Sequence, residues 1–108
     1  MNDTTYVEAS RVLAQRIMTE PDESAATARI RFAFRVATAR YPQPDETRIL
    51  LDIFRKQLGV YRNNWKAADR LLGVGESPRN RSLDAAEHAA WTNIASIILN
   101  MDETVTKN

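Results

Sequence analysis

The stretch DAAEHAAWTNIASIILNM, residues 84–101, carries the clearest structural signal in the 108-residue chain. Its apolar side chains recur at intervals of three and four residues, which is the pitch of an α-helix. Asp84, with Glu87 three residues later, is typical of a helix start, because such side chains can cap the free amides of the first turn. One face of the predicted helix is therefore apolar. It consists of Ala90, Trp91, Ile94, Ile97, Ile98 and Met101.

The same spacing predicts further helices upstream. The first starts at a cap on Asp3 and stops near Pro21, which cannot continue it. The second starts at Ser24 as its cap. Phe32 and Val36 lie off the main apolar stripe of this second helix, so it is apolar on more than one side. We therefore expect the second helix to be the central one, in contact with several neighbours.

Helix-breaking and helix-capping residues of the middle segment predict two more helices. Pro42 ends the second helix, and Pro44 fits the first position of the third, where its missing N–H costs nothing. Asn64 can cap a short fourth helix. No segment alternates with the period of two that a strand requires. The sequence predicts an all-α fold, a compact bundle of four to five helices forming one domain over residues 1–108.

Composition and charge restrict the function. With 44% hydrophobic and 27% charged residues the chain has a globular composition, and without cysteine it can form neither a disulfide nor a thiolate metal site. No apolar run approaches the roughly 18 residues of a membrane span. Residues 24–83 hold twelve basic and five acidic side chains, whereas both flanking segments are acidic. A basic middle could bind nucleic acid, but we favour acidic ends that fold back onto the arginines.

Residues 73–77, GVGES, look at first like a phosphate-binding loop. A Walker loop needs lysine and then serine or threonine after its last glycine, and a dinucleotide fingerprint needs a third glycine. Neither requirement is met. The preferred interpretation is a helix end, with Gly73 or Gly75 in the left-handed conformation and Pro78 preventing the helix from resuming.

Few other residues suggest chemistry, and we assign no catalytic residue, cofactor or metal ligand. His88 is the only histidine, and we expect it to be solvated on the outer side of its helix. Arg31 and Arg35 lie one turn apart on one helix face and could hold a carboxylate or phosphate bidentately. They could equally pair with acidic side chains of the chain itself. An enzyme would need a pocket that combines these arginines or Glu76 with a polar partner.

Three segments resemble a known family: residues 2–17, 28–46 and 71–108. The most specific pieces are VGES at 74–77, AWT at 90–92 and LNMDET at 99–104. They resemble the C-terminal part of the planctomycete-type, cytochrome-c-associated domain of unknown function (PSD-one type) found in large exported bacterial proteins. The resemblance implies a helical lobe excised from a longer, periplasmic or exported polypeptide. It supplies no established catalytic residues.

The resulting expectation is a non-catalytic structural or protein-interaction lobe. Its partner would be the upstream region of the parent polypeptide or another protein, and its oligomeric state stays open. Such a lobe should expose an apolar patch, for which we expect Phe32, Val74 and Leu99, since they lie off the main stripes. The alternatives are a nucleic-acid-binding or anion-binding domain that uses the arginine-rich middle, and part of an exported redox or polysaccharide-related enzyme. Nucleic acid is the less favoured ligand, because most aromatic residues fall on buried stripes.

Overall fold

The computed structural model describes the backbone of residues 4–107 and the side chains of residues 4–101. This part of the chain contains five α-helices and no strand, which confirms the predicted all-α bundle. It measures 35 × 28 × 23 Å along its principal axes. The helices are α1 (Thr4–Thr19), α2 (Ala26–Thr38), α3 (Pro44–Arg62), α4 (Trp65–Leu72) and α5 (Ala85–Lys107).

The central helix is α5, which packs against all four others and most extensively against α1. Ala89, Ala90 and Ala95 of α5 are fully buried, and such small side chains let neighbouring helices approach closely on several sides. The prediction that the second helix is central was wrong. Although α2 contacts α1, α3 and α5, none of the described elements covers the face that carries Val36, which remains 40% exposed.

The core is organised around Trp91, which is completely buried and stacks on Phe54 with 4.1 Å between ring centroids. The predicted position of Trp91 on the apolar face of its helix is thus confirmed. The main cluster also includes Leu13, Ala14, Ile17, Ile30, Ala33, Phe34, Leu50, Ala90, Ile94, Ala95 and Ile98. A smaller cluster of Ala68, Leu72 and Ala89 joins α4 to α5.

Two of the predicted helix caps are confirmed. The side chain of Asn64 accepts a hydrogen bond from the amide of Ala67 at 3.1 Å, at the start of α4. The carboxylate of Asp84 accepts from the amide of Glu87 at 2.9 Å, at the start of α5. Each cap satisfies an amide that has no partner within its own helix.

The predicted cap on Ser24 was wrong. Ala25, in extended backbone conformation, holds the cap position of α2 and has no side-chain hydrogen bond to offer. Because α2 begins at Ala26, Ser24 lies one residue outside the position from which its hydroxyl could reach the first-turn amides. The predicted cap on Asp3 lies outside the described residues.

The turn between α2 and α3 is held by an ion pair between Arg40 and Glu46. Pro44 occupies the first position of α3, as predicted, and Gln43 with Glu46 forms a capping box. Arg40 donates two hydrogen bonds of 2.8 Å to the carboxylate of Glu46, and the amide of Gln43 donates a third at 2.7 Å. These bonds, the guanidinium first, lower the pKa of Glu46 to about 2. The turn therefore has a defined path, which also places Tyr41.

Candidate functional site

The segment between α4 and α5 is held by side chains of α1. The Glu8 carboxylate accepts hydrogen bonds from the amide of Ser77, at 2.7 Å, and from its hydroxyl. Arg11, which is 1% exposed, donates to the carbonyls of Val74 at 2.7 Å and Ser77 at 2.9 Å. Helix α1 thus supplies a hydrogen-bond acceptor for one amide of the turn and a donor for two of its carbonyls, and these bonds fix the path of the turn.

These hydrogen bonds indicate that Gly73 and Gly75 belong to a turn and not to a phosphate-binding loop. Gly75 is left-handed, with φ of 89°, whereas Gly73 at φ of −92° is not. The donors of Ser77 that a phosphate would need are taken by Glu8, whose pKa is lowered by the hydrogen bonds from the Ser77 hydroxyl and then from the backbone. The anion in this turn is the protein's own carboxylate. The segment therefore shapes the fold.

His88 is buried, so the expectation of a solvated histidine was wrong. Its side chain is 0% exposed, and Nε2 lies 3.4 Å from the carbonyl oxygen of Arg11. Nδ1 has no hydrogen-bond partner among the described residues. Burial lowers the pKa of His88, and the nearby charges of Arg79 and Arg11 act in the same direction. His88 therefore favours the neutral form, on the face of α5 that packs against α1.

A shallow apolar groove, here the α1–α2 groove, lies where α1 and α2 pack side by side near the end of α5. Its volume is about 660 Å³. Val12 of α1 and Val36 of α2, 42% and 40% exposed, line it together with Leu99 of α5. The groove is an accessible apolar surface of the bundle.

The three residues predicted for an apolar patch are all half-buried, and they do not lie together. Leu99 lines the α1–α2 groove, whereas Phe32 lines a second groove beyond it. The grooves adjoin at Arg16, which lines the first and lies 6.0 Å from the centroid of the Phe32 ring. Val74 lines neither and sits in the turn that Arg11 holds.

The more exposed groove residues, Val12 and Val36, were missed as members of a patch. Val36 carried a usable signal, because it lies off the buried stripe of its helix. No such signal marks Val12 in the sequence. It adjoins the stripe residue Leu13, and the packing of α2 against α1 determines that Leu13 is covered and Val12 is not. The patch therefore depends on how the helices associate.

Arg31 and Arg35, the predicted anion site, lie together in the second groove, which we call the arginine–tyrosine groove. Both guanidinium carbons lie over the ring of Tyr41, at 4.3 Å and 5.0 Å from its centroid. The groove has a volume of about 970 Å³, and Phe32, Pro42 and two threonines also line it. The arginine pair was predicted from helical spacing, but the aromatic support was not.

Four of the other ten basic side chains of residues 24–83 form ion pairs within that segment. Within residues 24–83 the structure pairs Arg40 with Glu46, Arg48 with Asp45, Lys56 with Asp52 and Arg79 with Asp69. Among the described side chains, one ion pair reaches from this segment to an acidic flank, Arg29 to Glu87 at 4.0 Å. Folding back of the acidic ends is thus a minor contribution in the part of the chain that the structure describes.

Two features are absent from the same residues. No group of three or more histidine, cysteine, aspartate or glutamate side chains is placed to hold a metal ion there. No described helix combines the length and the apolar character needed to cross a membrane.

Comparison with known proteins adds no relative. No protein-family profile, no curated protein and no solved structure matches the chain. The family resemblance therefore remains a prediction, and the geometry of the two grooves is the remaining evidence for a function.

Proposed function

We propose that this chain is a non-catalytic helical module that docks on a neighbouring protein segment through its α1–α2 groove. The segment is the upstream region of a larger exported polypeptide to which the chain belongs. The observation that carries the proposal is the apolar lining of this groove, where Val12 and Val36 remain 42% and 40% exposed.

The polar side chains of the groove strengthen the proposal, because they are already paired. The Glu8 carboxylate is bound by Ser77, and Arg16 donates to Glu20 at 2.8 Å. An incoming segment would therefore meet mainly apolar surface without having to strip water from unpaired charges. Burying the remaining exposed part of one valine contributes on the order of 1 kcal/mol, so the groove provides a modest but real driving force.

The family resemblance supports the choice of partner. Leu99 opens the LNMDET stretch that is among its most specific pieces, and Leu99 also lines the groove. A lobe that belongs to a longer exported polypeptide needs a surface by which it packs on the remainder, and interfaces between domains of one chain are commonly of this moderate, mixed character.

The test is binding of this chain to the separately expressed upstream polypeptide, measured by isothermal titration calorimetry and co-elution in size-exclusion chromatography. Val12→Asp and Val36→Asp each place a charge in the groove and should weaken binding about tenfold or more, since burying an unpaired carboxylate is costly. Val60→Asp is the matched control, because Val60 is also an exposed helical valine, 53% exposed, but lies on α3 outside the groove.

Circular dichroism should show unchanged helix content in all three variants, because each valine is substantially exposed. Equal loss of binding in the Val60 variant, or undiminished binding in both groove variants, would contradict docking at this groove. A gene that encodes no polypeptide upstream of this chain would contradict the choice of partner.

A further inference from the structure

We propose that the arginine–tyrosine groove is a second, independent binding site, which takes a peptide segment carrying a single acidic side chain. Arg31 and Arg35 would hold its carboxylate, and the apolar wall of the groove would accept the neighbouring side chains. This site does not depend on the α1–α2 groove, and either could exist without the other.

The two guanidinium groups are held in place without a carboxylate. Neither has an acidic partner within ion-pair distance among the described residues, and both guanidinium carbons lie within cation–π distance of the Tyr41 ring, at 4.3 Å and 5.0 Å from its centroid. Arg35 also donates to the carbonyl of Ala39 at 2.8 Å. A cation–π contact takes up no acceptor oxygen, so N–H donors of both guanidinium groups remain for a planar anion. Part of the ordering cost of binding is therefore met in advance.

The size and walls of the groove favour a peptide over a free anion. Its volume of about 970 Å³ is that of a site for a ligand of many atoms. Phe32, Pro42 and Pro44 form apolar walls, and Thr27 and Thr47 offer hydroxyl groups. A lone phosphate would leave these surfaces uncovered, whereas a short extended peptide would contact them on both sides of its acidic residue.

Two features disfavour nucleic acid and polyanions. The Tyr41 ring is already in contact with both guanidinium groups and is less available to a base, although stacking on aromatic rings is the usual means of holding single strands. Glu23 also lines the groove, so a dense row of negative charges would be repelled there. A single carboxylate placed at the arginine pair avoids that repulsion.

The probe is a fluorescein-labelled eight-residue peptide with one central glutamate flanked by leucine and proline. Its matched partner has glutamine in place of the glutamate. Fluorescence anisotropy at low salt should show the glutamate peptide binding about tenfold more tightly, the contribution of a charge-assisted pair at a partly exposed site. Added salt should reduce this preference, because exposed charges are screened.

The variants separate this site from general positive charge. Arg31→Gln with Arg35→Gln should abolish the preference for glutamate, whereas Arg55→Gln with Arg62→Gln, at two exposed arginines of α3, should preserve it. Tyr41→Leu should weaken binding roughly threefold, the value of an exposed cation–π contact. All five positions are exposed, and circular dichroism establishes that the variants fold.

A direct readout comes from the Nε–Hε NMR resonances of the arginines, of which those of Arg31 and Arg35 should shift most when the peptide is added. Equal affinity for the two peptides would overturn the proposal. So would a preference that survives the Arg31 and Arg35 substitutions or is lost equally in the α3 control. Inorganic phosphate or a single-stranded oligonucleotide that binds through the same arginines, and that the peptide cannot displace, would show a different ligand class and overturn it as well.

Discussion

Substitution of Gly75 by alanine tests the structural account of the turn most sharply. Gly75 has φ of 89°, a conformation that costs an ordinary residue about 1–2 kcal/mol. A Cβ at this position would also lie 2.5 Å from Oε1 and 2.8 Å from Cβ of Glu8. The carboxylate can rotate away, but Cβ is fixed to the backbone of α1, so the turn or the helix must shift.

The expected loss follows from these contributions. The reduced freedom of the unfolded chain offsets roughly 0.4–1 kcal/mol, which leaves a net loss of about 1 kcal/mol from backbone strain alone. Displacement of α1 and of the hydrogen bonds between Glu8 and Ser77 adds to it. Gly73→Ala is the control, because Gly73 has φ of −92° and its Cβ would meet nothing closer than 3.5 Å.

Urea-induced unfolding, followed by the fluorescence of the buried Trp91, measures both variants. Gly75→Ala should lower the free energy of unfolding by at least about 1 kcal/mol, and Gly73→Ala should change it by no more than about 0.5 kcal/mol. Equal effects in the two variants, or a neutral Gly75→Ala, would refute the claim that the left-handed conformation and the contact with Glu8 require glycine at this position.

Two further outcomes concern stability. Ala39→Gly should raise the free energy of unfolding by about 0.5–1 kcal/mol in the same urea assay, because Ala39 is left-handed at φ of 62° and glycine removes that strain at some entropic cost; a destabilised variant would contradict this. Burial lowers the pKa of His88 below 6.5, so the unfolded chain binds the extra proton and stability should fall as pH drops below 6.5, by at most about 1.4 kcal/mol per pH unit. His88→Gln should flatten the plot of the free energy of unfolding against pH between pH 6.5 and 4.5. The lowered pKa values of Glu8 and Glu46 affect stability mainly below this range. An unchanged slope in the variant would show that other groups cause the pH dependence.

Local signals predicted the helices well. Pro44 and the caps at Asn64 and Asp84 act within a few residues, so the sequence alone carries their geometry. The misplaced cap at Ser24 is an error of one residue at a helix end, where hydrogen bonds leave little preference between neighbouring positions. Helix class and number are therefore the most predictable part of this fold.

Burial was less predictable where it depends on several helices at once. His88 lies three, seven and ten residues before Trp91, Ala95 and Ile98, all of them buried, so it belongs to their stripe. This spacing is visible in the sequence. A polar residue near the start of a helix is usually exposed, however, which is why a solvated His88 was expected. The alanines around His88 allow α1 to close over α5, and this contact cannot be inferred from one helix alone.

In the candidate sites, too, helical spacing could be predicted from the sequence, whereas contacts between elements could not. Helical spacing placed Arg31 and Arg35 on one face, and the structure confirms that they lie in one groove. Tyr41 reaches them only because the α2–α3 turn has a left-handed residue at Ala39 and a fixed path at Glu46. Such turn geometry has no regular period, so a sequence pattern does not reveal it.

The grip of α1 on the connection between α4 and α5 bears on how this region can change over evolutionary time. Glu8, Arg11 and Gln15 each bind main-chain atoms of the connection, the last through the amide of Asn80 at 3.1 Å. Main-chain atoms are common to all residue types, so the exposed side chains of this connection are open to drift as long as Gly75 and Ser77, whose hydroxyl also binds Glu8, are kept. An insertion or deletion would shift three attachment points out of register together, and homologues should therefore vary in the composition of this connection while keeping its length.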